Sequence, residues 1–98
     1  MNSYTIEYTR QFNEDYKREV RKNKEIKKRI DKAILLLSND PNYPSLKSHK
    51  VNTTSNGTRW SSWVTGDLRI IWDYDEDGKL ILVLIAFGGH SGKNKVYK

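Results

Sequence analysis

The stretch KLILVLIAF, residues 79 to 87, constrains the fold of this chain more than any other. After its opening lysine every residue is apolar, so a strand formed here needs cover on both faces and belongs at the centre of a sheet. It is far shorter than the ~18 apolar residues of a membrane span. The residues after it are of another kind: GGHSGKNKVYK carries a histidine, three lysines and a tyrosine without one acid.

Two further strands precede that run, TRWSSWV and DLRIIWDY, separated by TG and followed by DEDG, both turn-forming sequences. In the second, Leu68, Ile70, Trp72 and Tyr74 share one face while Arg69, Ile71 and Asp73 share the other. At the N-terminus, YTIEYT alternates Tyr4, Ile6 and Tyr8 against Thr5, Glu7 and Thr9, the period of a first strand. Phe12, Tyr16 and Val20 then fall four apart. Ile26, Ile30, Ala33, Ile34 and Leu37 continue at helical spacing. Asn23, followed by Lys24 and Glu25, suits an N-cap with an acid in the first turn, so a helical hairpin is expected. SNDPNYP ends it, because Pro41 and Pro44 cannot continue a helix. The order β-α-α-β-β-β gives an α+β fold, an antiparallel sheet with a helical hairpin packed on one face.

Ninety-eight residues make one domain, spanning 1–98. At 36% hydrophobic the core is thin, and the three Trp and six Tyr must supply much of its buried area. A core so thin is also expected to leave an apolar groove open to a protein partner. Cysteine is absent, which excludes disulfides and thiolate metal sites and suits the cytoplasm. The N-terminus lacks the basic and apolar regions of a signal peptide. Lys and Arg outnumber Asp and Glu by 18 to 12, with a pI near 9.6, which favours polyanionic or acidic partners. Nine of those bases lie between Lys17 and Lys32, as a solvated helix face or as a binding stripe.

The glycine-rich GGHSGKNK is not a phosphate loop of the Walker type, since Phe87 stands where its first glycine belongs and Asn94 replaces the hydroxyl residue. Two histidines without cysteine make a poor metal set. As proton carriers they are better placed. His49 in LKSHK and His90 in GGHSGK lie in basic segments and titrate near neutrality, and Arg69 adds the cation that phosphodiester cleavage needs. Trp60, Trp63 and Trp72 could stack bases or pack the core and its rim, and Asp67 beside Gly66 is equally a turn residue.

LKSHK, WSSWVTGDLRIIWDY, LVLIAFGGHS and the terminal VYK together resemble the RelE/ParE toxin superfamily of type II toxin–antitoxin systems, nearest its RelE/YafQ-like messenger-RNA endonucleases. The resemblance runs from TRQFNEDYKREVRK through DPNYPSLKSHK to the end. It implies a ribosome-dependent ribonuclease that needs no metal or other cofactor and is neutralised by a cognate antitoxin. In such an enzyme a 2′-hydroxyl attacks the adjacent phosphate, giving a cyclic phosphate and a 5′-hydroxyl. Carried over by position, the resemblance implies catalytic roles for His49, Asp67, Arg69, His90 and Tyr97. His90 would be the acid and His49 the base, or the reverse. It implies RNA contacts for Lys47, Lys50, Arg59, Trp60, Lys93, Lys95 and Lys98. Tyr97 stands farther beyond His90 than the family's short spacing. A ParE-like relative that binds a protein target such as DNA gyrase is the alternative, and such a protein has no use for paired imidazoles.

Overall fold

The computed structural model describes residues 4–55 and 57–87. Strand β1 (Ile6–Tyr8) leads into helices α1 (Arg10–Lys22) and α2 (Lys24–Asn39). A single 3-10 turn (Pro44–Leu46) then precedes β2 (His49–Thr53), β3 (Gly57–Trp63), β4 (Leu68–Tyr74) and β5 (Leu80–Phe87). The five strands form one sheet in the order β1-β5-β4-β3-β2, antiparallel throughout except that β1 runs parallel to β5. The expected α+β architecture holds, and the apolar run lies inside the sheet between β1 and β4.

Two features depart from the expected element order. LKSHK is not wholly a loop, because His49 opens the edge strand β2, which pairs with β3 from His49↔Ser61 to Thr53↔Gly57. HKVNT has a single strongly apolar residue, so its strand character comes from pairing and not from its own pattern. The N-terminal strand also joins in parallel: Ile6 pairs with Leu80 and Tyr8 with Leu82, which the helical hairpin makes possible by carrying the chain across one face.

Asn23 serves both helices. It ends α1 in extended geometry, and its side-chain oxygen accepts from the Glu25 amide at 2.9 Å to start α2. The core lies between the hairpin and the sheet: Phe12, Ile30 and Leu37 meet Ile70, Trp72, Leu80 and Leu82, all nearly inaccessible to solvent. Aromatics do supply much of it. Trp72 stacks on Trp60 at 5.6 Å between ring centres, meets Tyr74 edge-on at 5.2 Å, and donates its indole N–H to Ser62 at 2.8 Å.

The join between α1 and β5 is polar. In the β4–β5 pairing Ile71 faces Leu84 while Trp72 faces Leu82, so β5 carries one extra residue, a β-bulge at Val83. Thr9, the N-cap of α1, donates its hydroxyl to the Val83 carbonyl and accepts from the Phe12 amide. Asp15, only 3% exposed, accepts the Ile85 amide at 3.1 Å, with Gln11 at 2.8 Å and Arg18 at 2.9 Å completing its carboxylate. A buried carboxylate with three donors is tolerated, whereas a bare one is not. Glu19, also buried, is paired with Arg18 at 3.1 Å.

On the outer side of the hairpin Asp31 accepts from Tyr16 and Lys27, both at 2.8 Å. Partial burial pushes the Asp31 pKa up, but the hydrogen bonds from Lys27 and Tyr16 outweigh it and hold the carboxyl below its ordinary 3.8.

Asp15→Ala is expected to cost roughly 1–3 kcal/mol, because it strands the Ile85 amide at the bulge, and urea unfolding monitored by circular dichroism measures that loss. Asp31 gives a pH signature. A carboxyl with a depressed folded-state pKa contributes stability above its unfolded pKa and loses it as pH falls through the folded value. Asp31→Asn is therefore expected to be less stable than the parent at neutral pH, with the difference closing below pH ~4, where the reference carboxyl itself protonates.

Candidate active site

Alternation along β2, β3 and β4 sorts their side chains onto two faces. Trp60, Ser62, Ile70 and Trp72 point toward the helices, as their core packing and mutual bonds require. The opposite face carries His49, Ser61 and Ile71 in one cross-strand row, with Trp63 and Arg69 paired in the next. That second row sits at the end of the sheet where β3 turns into β4.

Arg69 is held closely. It is only 7% exposed, its guanidinium lies 4.2 Å from the centre of the Trp63 ring, and its Nη1 donates to the carbonyls of Thr65 at 2.6 Å and Leu68 at 3.1 Å. Those carbonyls are fixed in turn, since Thr65 Oγ1 accepts the amides of Asp67 and Leu68 and closes the β3–β4 turn. Among the described residues no carboxylate pairs with Arg69. It is a fixed cation anchored through Nη1 to backbone, in a setting that strengthens its pull on an anion.

Lys47 reaches the same ring. It adopts a left-handed backbone, φ 48° and ψ 44°, at the end of the 3-10 turn, and its Nζ lies 4.1 Å from the Trp63 ring centre. A non-glycine residue in that conformation costs about 1–2 kcal/mol, and such strain is often stored at functional sites. One indole thus gathers two cations.

His49 is exposed, and its Nδ1 lies 2.9 Å from the Lys47 carbonyl oxygen. A carbonyl can only accept, so Nδ1 donates, and in the neutral tautomer this contact selects the lone pair falls on Nε2, the arrangement a general base requires. Its Cα lies two strands across and one side-chain step along from that of Arg69, on the order of 12 Å. Asp67 is exposed in the turn beside this cluster, within two residues of Arg69.

The sequence-derived site is thus divided. His49, Asp67, Arg69 and Lys47 lie at one end of the sheet, by the face turned away from the helices. Lys50 and Trp60 do not: they pair across β2 and β3 on the helix side, with the Lys50 Nζ 5.6 Å from the Trp60 ring centre. Arg59 is on the face away from the helices but engaged with Asp73 at 2.9 Å. His90, Lys93, Lys95, Tyr97 and Lys98 lie outside the described residues. Trp63 is the residue the sequence-derived set lacks. Its signal was available: three residues from Trp60 on one strand means opposite faces, and the short turn after it sets it against Arg69. Among the described residues no three His, Asp or Glu side chains cluster as metal ligands.

A family model described as the bacterial toxin of type II toxin–antitoxin systems, YafQ, matches residues 4–93. No curated protein matches the chain. Among solved structures, YafQ from E. coli strain BL21(DE3) superposes with a TM-score of 0.68 at 22% identity, covering 87% of this chain and 93% of that one. The archaeal RelE–RelB complex from Pyrococcus horikoshii OT3 gives 0.71 at 15% identity, covering 91% and 99%. The E. coli DinJ–YafQ complex gives 0.67 at 21% identity, covering 84% and 90%. Those likenesses are of fold, and the family model spans nearly the whole sequence: the chain belongs to the YafQ family of bacterial type II toxin–antitoxin toxins.

Proposed function

We propose that this toxin is a metal-independent endoribonuclease that cuts messenger RNA on the ribosome. The observation that carries this reading is Arg69, fixed beside Trp63 with no carboxylate partner among the described residues, on the same sheet face as His49, whose Nδ1 meets the Lys47 carbonyl. In the proposed reaction Arg69 holds the scissile phosphate, with Lys47 adding positive charge. His49 Nε2 removes the proton of the neighbouring 2′-hydroxyl as its oxygen bonds to phosphorus. The bond from phosphorus to the 5′-oxygen breaks, and a general acid, assigned to His90, supplies that oxygen with its proton. The products are a 2′,3′-cyclic phosphate and a 5′-hydroxyl. Since the RNA supplies its own nucleophile, no metal-activated water is required. Acid and base catalysis contribute ~10²- to 10⁴-fold each, and the arginine opposes charge that grows in the transition state. Asp67, at the rim, orients the nucleotide or a basic partner group, and Tyr97 would stack on a base.

A cognate antitoxin is the second partner, supported by the RelE–RelB and DinJ–YafQ complexes of similar fold. A groove of about 210 Å³ bordered by Tyr8, Phe12, Tyr16 and Ile34, with Tyr8 47% exposed, offers such a protein apolar surface. We place the activity in the cytoplasm, where ribosomes and messenger are found. No helix among the described residues is long and apolar enough to cross a membrane.

Primer extension on messenger RNA after induced expression tests the reading. The parent chain is expected to arrest growth and leave codon-aligned cuts, while Arg69→Ala lowers cutting by ~10²-fold or more and His49→Ala lowers it with the fold intact, since His49 is exposed. Growth arrest without cuts would favour a protein target. Full cutting by the His49→Ala, Arg69→Ala double variant would remove the site from the mechanism.

A further inference from the structure

Trp63 has a second neighbourhood that the proposed chemistry does not use. It also borders a groove of about 190 Å³ between α2 and the 3-10 turn, with Ala33, Leu36 and Leu46 forming an apolar floor and Arg29 and Lys32 on the rim. The rim charges are placed by helical spacing. Arg29, Lys32, Ala33 and Leu36 stand at i, i+3, i+4 and i+7 on one side of α2.

These two cations differ from their neighbours on the helix. Lys27 is engaged by Asp31 at 2.8 Å and Lys28 lies 3.9 Å from Glu25, which uses both acids of α2. Among the described residues Arg29 and Lys32 have no ion-pair partner, and both are exposed. A groove with an apolar floor, an aromatic wall and two unopposed cations has the chemistry of a single-stranded nucleic-acid site: a base settles on the apolar and aromatic surface while its phosphates meet the rim. At about 190 Å³ it is smaller than the ~300–1,000 Å³ of drug-sized ligand pockets, so it accommodates one planar group and not a larger ligand.

We propose that this groove is a second RNA subsite, which takes one nucleotide of the same strand whose phosphate lies against Arg69. Trp63, which lines the groove and also holds Arg69, is the residue the two sites share. The strand's identity rests on the endonuclease reading, while the subsite itself is a matter of binding and is tested separately.

The test is the affinity of the purified full chain for a fluorescent single-stranded oligouridylate, measured by anisotropy across a salt series. Each phosphate neutralised contributes about 0.7 to the slope of log affinity against log salt. Arg29→Gln with Lys32→Gln is expected to make that slope shallower by ~1.4. Lys17→Gln with Arg21→Gln on α1 removes the same charge elsewhere and is expected to change the slope by less than half as much. Equal effects of the two pairs would mean a general basic field and would overturn the subsite. So would an unchanged slope in the Arg29, Lys32 variant, or weakened capture of an acidic protein partner by that variant with RNA binding untouched. If the parent shows the expected slopes but cuts no RNA, the groove stands and the endonuclease reading falls. If the parent cuts but the slope does not respond, the reverse holds.

Discussion

The carboxylate of Asp15, buried in the middle of α1, decides where the first helix meets the sheet and hence what the far end of β5 can do. It accepts the Ile85 amide just past the bulge, while Thr9 holds the Val83 carbonyl just before it. Bulges bend a strand and increase its twist. Here the bulge resets the alternation so that Ile85 still faces the core and Ala86 falls beside Arg69, where its small side chain leaves the guanidinium room over Trp63. A polar clamp on one side of the sheet thereby shapes the surface of the other.

That other surface depends on where the charges are left uncompensated. Much of the basic character inside the helices is neutralised locally: Arg18 by Asp15 and Glu19, Lys27 by Asp31, and Arg59 on the sheet by Asp73. Among the described residues Arg69 and Lys47 have no such partner, and both lean on one indole. Exposed ion pairs contribute little to stability, so the distribution matters more for what binds than for what folds. Two cations on one aromatic ring, with His49 one row away, concentrate positive charge at this end of a chain whose formal charge is +6.

Much of the fold was legible in the sequence, for identifiable reasons. Strong periodicity placed the helical hairpin, and Asn23 announced the start of its second helix. KLILVLIAF demanded an interior strand and received one. β2 was hidden because HKVNT has little apolar pattern of its own and becomes a strand by pairing with β3. That strand also divides the candidate site, since its alternation sends His49 to the face away from the helices and Lys50 to the Trp60 side. Proximity in sequence grouped two neighbours that a pleated strand separates. Asp15 and Glu19 were obscured by the surrounding bases, although with Phe12, Tyr16 and Val20 they complete the i, i+3, i+4, i+7, i+8 stripe that faces inward.

The central claim is that the working face of the sheet is the one bearing Trp63, and the three tryptophans report on it separately. Trp63 lies on the face away from the helices, Trp60 on the helix side, and Trp72 is buried with its N–H on Ser62. The most direct measurement is a titration of the ¹⁵N-labelled protein with a short RNA made uncleavable by 2′-deoxy substitution, following the three indole N–H signals. The Trp63 signal is expected to move in proportion to bound RNA while those of Trp60 and Trp72 stay in place. Movement of Trp60 with a stationary Trp63 would contradict the account.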